Sequence, residues 1–156
     1  MKLKTKKVRE YSEEERKKLE LMDNFESFVY RVHDGDTISV RVPDFDFLTP
    51  LRFEGTNAPE LSEAGGMKAR DYLENRLIKK KVTIILGKQK EEKWGRMLGR
   101  VMSDGAFMDE EMIALSLSTP FDRRDDGKFP GESEAFEEEK MNKQTAERII
   151  WKGGKL

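Results

Sequence analysis

Four short stretches of this sequence have residue types and spacings suited to chemistry on a phosphate. The first is Val32-His33-Asp34-Gly35-Asp36-Thr37-Ile38, where acids flank a glycine. Asp-Gly between apolar runs is a strong hairpin signal, and Asp34-Gly35 reads as that turn. The turn does not account for Asp36, because a carboxylate entering a strand is disfavoured without a partner. As a hard oxygen donor it suits calcium or magnesium. The second is Arg52, inside Leu51-Arg52-Phe53-Glu54. A strand arginine either pairs with a neighbouring acid or clamps a phosphate through two parallel N–H donors. The third is Asn57-Ala58-Pro59-Glu60. Pro59 fixes its own backbone and restricts Ala58, so a stiff dipeptide sets the direction of Glu60. Glu60 is then either a surface acid or a group that positions and deprotonates water beside a metal. The fourth is Lys93-Trp94-Gly95-Arg96, a second arginine beside an aromatic that can stack on a base or anchor a rim. Carboxylates and arginines brought together are what metal-assisted attack on a phosphate requires.

The rest of the chain must hold these groups in place. Its 156 residues suffice for one domain with a real core. With 36% hydrophobic and 39% charged residues, the core must be compact and the surface heavily ionised. The formal net charge of −1 argues against a wide basic footprint on nucleic acid, yet permits a small basic site for one or two phosphates. No cysteine is present, so disulfides and thiolate chemistry are excluded. No apolar run approaches membrane-spanning length. The basic N-terminus runs into charged residues, without the apolar middle of a secretory signal. A cytoplasmic monomer away from membranes is therefore expected, with secretion of a processed form left open.

Residues 1–24 read as a charged extension carrying a surface helix over 12–22. Ser12 and Glu15 form a capping box, and Glu13/Lys17 pair one turn apart. Its thin apolar content suggests an appendage to a domain over 25–156. Strands are expected at 28–32, 37–42, 51–54, 81–86 and 97–102, with 43–50 as a loop. Helices are expected at about 67–79, where Ala69, Leu73 and Leu77 share a face, and at about 109–117. A polar linker over 122–131 leads to a last helix over 132–150, whose early glutamates and late Arg148 suit the helix dipole. The pattern predicts an α+β fold: a five-stranded OB-type β-barrel packed with three α-helices, plus the N-terminal surface helix.

The order of these motifs, Asp-Gly-Asp-Thr, an Arg-led strand ending in Pro-Glu, a Gly65-Gly66 helix start and Lys-Trp-Gly-Arg, resembles the staphylococcal nuclease-like (thermonuclease) family. The resemblance spans roughly 27–151, including the helix before Ser118 and the closing Ala146-Glu147-Arg148-Ile149-Ile150-Trp151. It implies calcium-dependent hydrolysis of DNA and RNA phosphodiesters. Carried over motif by motif, Arg52 and Arg96 would bind the scissile phosphate, and Glu60 would orient or deprotonate the attacking water. Asp36 would hold calcium, with Asn57 and the carbonyl of Ala58 completing the protein ligands. Lys93, Trp94 and, on a looser alignment, Phe121 would line the nucleotide site. The chain departs from the family pattern in two ways. Asn57 stands where the family has a second metal-binding aspartate, which should weaken metal binding. The loop Leu61 to Gly66 is short and acidic where well-known members carry a longer lysine-rich one. The competing reading is a member that keeps the barrel and serves as a nucleic-acid or protein adaptor; Asp36, Arg52, Glu60 and Arg96 together favour the enzyme.

Overall fold

In the computed structural model, residues 3–121 are described. The expected linker over 122–131 and helix over 132–150 lie outside the described residues, as does the closing segment to Trp151. The described chain is α+β, with one large mixed sheet and three α-helices. The helices are α1 (Glu13–Glu20), α2 (Gly66–Leu77) and α3 (Met108–Ala114). The main strands are β2 (Asn24–Phe28), β3 (Arg31–Asp34), β4 (Thr37–Val40), β5 (Phe47–Phe53), β7 (Lys81–Ile85) and β8 (Met97–Ser103). Four two-residue strands join them: β1 (Lys4–Thr5), β6 (Thr56–Asn57), β9 (Ala106–Phe107) and β10 (Thr119–Pro120).

The sheet runs β2-β7-β8-β5-β4-β3, with β1 on β5 and β9 on β8, while β6 and β10 pair separately. Strand β5 is central: it pairs antiparallel with β4 and parallel with β8, and is buried along nearly its whole length. It starts at Phe47, four residues before the strand expected from sequence, so the loop over 43–50 is shorter than predicted. Pro50 explains the misreading, since a proline argues against a central strand. Here it falls between the β1 ladder at Phe47–Leu48 and the β8 ladder at Leu51–Phe53. The expected β3–β4 hairpin forms, but its turn falls at Gly35 and Asp36, one residue later than read, with Asp34 in β3 facing Thr37.

The capping box on α1 is present: Glu15 N–H donates to Ser12 Oγ (3.2 Å) and Ser12 N–H to Glu15 Oε1 (2.8 Å). The N-terminal segment is nonetheless no appendage. Val8, Tyr11 and Leu19 are buried in the same core as the sheet. Tyr11 stacks edge-on against Phe45 and Phe47, and its hydroxyl lies 2.5 Å from Thr49 Oγ1. A few well-spaced apolar side chains suffice to dock a short helix when their burial is nearly complete. On the other side of the core, α2 buries Ala69, Leu73 and Leu77, the face its four-residue spacing predicted. No described helix is long and apolar enough to cross a membrane.

Candidate active site

The sheet brings three distant segments to the start of β4. The hairpin turn supplies Asp36 and Thr37. Strand β5 supplies Arg52, directly opposite Thr37 in the ladder. The turn before β8 supplies Arg96, whose Nη1 lies 3.4 Å from Thr37 Oγ1.

Asp36 is buried, and its environment is built to keep it ionised. Oδ2 accepts from the Ala58 N–H at 2.8 Å and Oδ1 from the Thr37 hydroxyl at 3.0 Å. Arg52 Nη1 lies 3.5 Å from Oδ2. Burial opposes the charge, but the Arg52 guanidinium, the Ala58 amide and the Thr37 hydroxyl outweigh it and hold the carboxyl below its ordinary range. Arg52 donates from Nη1 to the carbonyls of Phe53 and Thr56, each at 2.6 Å, and from Nη2 to Asn57 Oδ1. Strand β6 places Asn57 there, held against Thr119 of β10. Phe121 also reaches this centre, its ring 5.9 Å from the Arg52 guanidinium carbon.

Arg96 is oriented by Glu92. Its Nε and Nη2 donate to the two carboxylate oxygens at 3.0 and 3.2 Å. Glu92 Oε1 also accepts the N–H groups of Trp94 and Arg96, so one side chain folds the turn and aims the guanidinium. This side-on grip occupies the Nε edge and leaves Nη1 facing Thr37. Lys93 and Trp94 ride on the same turn, the ammonium 5.7 Å over the indole ring.

Glu60 sits beside these groups, half-buried. Burial raises its carboxyl above the ordinary value, Asp36 and Glu63 add to the rise, and Arg96 and Arg52 oppose it. Its backbone is fixed from the following loop: Glu60 N–H donates to Glu63 Oε1 at 2.6 Å, and Glu60 C=O accepts from Glu63 N at 2.9 Å. Gly66 packs so tightly here that a Cβ would stand 1.8 Å from the Glu60 carbonyl oxygen.

Sequence reading missed Asp34, Thr37, Glu63 and Glu92. Asp34 was taken as a plain turn residue. Its Oδ1 accepts the Asp36 N–H at 3.0 Å, and burial followed by the Asp36 charge pushes it up to about 8. The second acid of Asp-Gly-Asp was the available signal. Glu92 stands four residues before Arg96, a spacing with no meaning outside a helix until the turn is seen.

The implied metal can be tested against these donors. Asp36, the Asn57 amide oxygen and the Ala58 carbonyl are all oxygens, with Asp34 alongside, which suits a hard dication and not zinc. Burial first, and the Asp36 charge second, raise the Asp34 and Glu60 carboxyls, a rise that a nearby dication would oppose. Among the described residues no group of three or more His, Cys, Asp or Glu could hold a metal. A fit therefore depends on the amide and carbonyl oxygens.

Comparison with known proteins gives the class. The family described as "Staphylococcal nuclease homologue" matches residues 50–153, and the chain belongs to it. That span contains Arg52, Asn57, Ala58, Glu60, Lys93, Trp94, Arg96 and Phe121, while Asp34, Asp36 and Thr37 precede it. A similar relative is "Endonuclease YhcR" of Bacillus subtilis (strain 168), 32% identical over 102 residues, covering 57% of this chain and 8% of that protein. The chain thus spans under a tenth of that relative's length. The family takes its description from a nuclease, and the relative is named an endonuclease.

Proposed function

We propose that this chain is a calcium-dependent nuclease that hydrolyses phosphodiester bonds of DNA, RNA or both by attack of water. The observation that carries this reading is the convergence of two guanidinium groups, Arg52 from β5 and Arg96 from the turn before β8, on the Asp36–Thr37 pair. Two planar cations beside one ionised acid make a site for a single phosphate rather than a long basic track.

The residues then divide the work. Arg52 uses Nη1 and one Nη2 hydrogen inside the protein, so among the described contacts its Nε–H and the other Nη2 hydrogen are left for phosphate oxygens. Arg96 offers the Nη1 end that Glu92 leaves open. Fixed donors aimed where charge develops stabilise a five-coordinate phosphorus without having to reorganise. Glu60, its carboxyl raised by burial, orients a water and takes its proton. Asp36, Asn57 and Ala58 would hold calcium, which would supply Lewis-acid polarisation of a phosphate oxygen. Trp94, Lys93 and Phe121 border the nucleotide.

The sheet is read as an OB-type barrel in the same proposal. Strands β2 and β3 are consecutive segments, one paired to β7 and the other to β4. Counted as one bent strand they would join the two ends of the open path and leave five strands.

The test is incubation of single- and double-stranded DNA and RNA with calcium and then with chelator, for the wild type and Glu60→Gln. Calcium-dependent cleavage lost in the variant supports the enzyme. Tight binding without cleavage would replace it with an adaptor.

A further inference from the structure

We propose that residues 6–22 act as a clasp that positions Arg96 by gripping the turn Glu92–Arg96. The inference rests on reading Arg96 as a phosphate-binding group.

The turn is short and polar, held internally by Glu92 N–H to Arg96 O and Gly95 N–H to Glu92 O, each 2.9 Å, and by the Glu92 carboxylate on the Trp94 and Arg96 N–H groups and the Arg96 guanidinium. Such a turn is a region of low local stability unless something outside it supplies contacts. The N-terminal segment supplies them on both sides. Val8 N–H donates to Gly95 O at 2.7 Å, and Arg9 Nη2 donates to Lys93 O at 3.2 Å. The Arg9 side chain lies flat on Gly95, where a Cβ would stand 2.1 Å from Nε, and Gly95 has φ of +89°. That position therefore requires glycine for its backbone and for the clasp. Upstream, Arg16 meets Glu91 at 3.3 Å. Lys90 Nζ donates to the last carbonyls of α1, those of Leu19 and Glu20, at 3.0 and 2.6 Å, and to that of Met22 just beyond it at 2.5 Å.

The clasp can transmit force because it is anchored in the sheet. Val8, Tyr11 and Leu19 are core residues, and Lys6 N–H donates to Leu48 O at 2.7 Å on β5, the strand that bears Arg52. One rigid piece thus touches both the Arg52 strand and the Arg96 turn. Where Glu92 sits decides where the Arg96 guanidinium points, and the N-terminal segment decides where the turn sits. Val8, Arg9 and Lys90 are positioning residues in this account.

Val8→Pro tests it with little local damage. Val8 opens a 3-10 turn, Lys7 before it is extended, and proline is tolerated there while removing the N–H that holds Gly95. Val8→Ala keeps that donor and removes more packing. Thermal midpoint, kcat, KM and hydrogen exchange of the Trp94, Gly95 and Arg96 amides are measured for both, together with Arg9→Ala and Arg9→Lys. A misplaced guanidinium should cost V8P roughly tenfold in kcat with KM nearly unchanged. Exchange should speed up within the turn. V8A, which loosens the anchor but keeps the donor, should lose markedly less kcat and turn protection than V8P even if its midpoint falls as far. R9A should show a smaller version of the V8P pattern, rescued by R9K. Equal kcat losses in V8P and V8A, or unchanged turn exchange in V8P and R9A, would overturn the clasp. If the wild type cleaves nothing, the phosphate reading of Arg96 fails, and the exchange data alone still decide whether the segment holds the turn.

Discussion

Arg52 is the residue on which stability and chemistry meet, and Arg52→Met exposes both. The substitution keeps most of the side chain's bulk and removes its charge. In the wild type the Arg52 and Asp36 side chains are only 10% and 8% exposed and stand 3.5 Å apart. At an effective dielectric of about 20, unit charges at the 3.5 Å separation attract by roughly 5 kcal/mol. Methionine would forfeit that attraction and the hydrogen bonds that Arg52 gives to the carbonyls of Phe53 and Thr56 and to the Asn57 amide oxygen. Removing one partner of a buried pair costs about 3–5 kcal/mol. Asp34, pushed up to about 8, is protonated near neutrality and can share its proton with the stranded Asp36, which places the expected loss near the lower end. The sign with pH follows from Asp36. In the wild type its carboxyl is depressed below 3.8, so its contribution is present above that pH and lost as pH falls. Without Arg52, burial raises the carboxyl above 3.8, so stability falls as pH rises. The gap between wild type and R52M should therefore be widest near neutrality and close toward about pH 3.5. Urea unfolding across that range measures it, and Arg52→Met/Asp36→Asn should recover most of the loss. A gap below about 1 kcal/mol at neutrality, a gap independent of pH, or no recovery in the double variant would refute the reasoning.

Other expectations follow from neighbouring contacts. Gly66→Ala drives a Cβ into the Glu60 carbonyl, so cleavage should fall by about a hundredfold while circular dichroism still reports α2. Asn57→Asp adds a carboxylate to the proposed calcium ligands and should lower the calcium midpoint of cleavage by roughly threefold to tenfold; an unchanged midpoint would remove Asn57 from the ligand set. Burial raises the Tyr11 hydroxyl above 10.0, so wild-type stability should decline as pH climbs past that value, because the unfolded chain ionises first. Tyr11→Phe should be about 1–2 kcal/mol less stable near neutrality, from the orphaned Thr49 hydroxyl, with a shallower alkaline decline in urea melts.

Features fixed by near neighbours were legible before the fold was known. The β3–β4 hairpin, the Ser12–Glu15 capping box and the buried face of α2 each depend on residues within a few positions of one another. Arg52, Glu60 and Arg96 were singled out for a different reason: their types and order carry the family pattern. What stayed hidden depends on contacts far along the chain. Tyr11 looked like part of a charged extension because its partners, Thr49, Phe45 and Phe47, lie more than thirty positions away. Pro50 masked the start of a central strand, since the gap between two ladders that accommodates it exists only in the assembled sheet. Asp34 passed for a turn residue because its burial against Asp36 is a property of the packed site.

The central claim is that two arginines act on one phosphate as charge develops there. Single-turnover cleavage of a short oligonucleotide in saturating calcium, comparing wild type with Arg96→Lys, tests it most directly. Lysine keeps the charge but loses the planar fork that Glu92 holds and Thr37 faces. The expected result is a rate lower by about a hundredfold with substrate affinity little changed. No calcium-dependent cleavage by the wild type, or an equal rate in the lysine variant, would contradict the account.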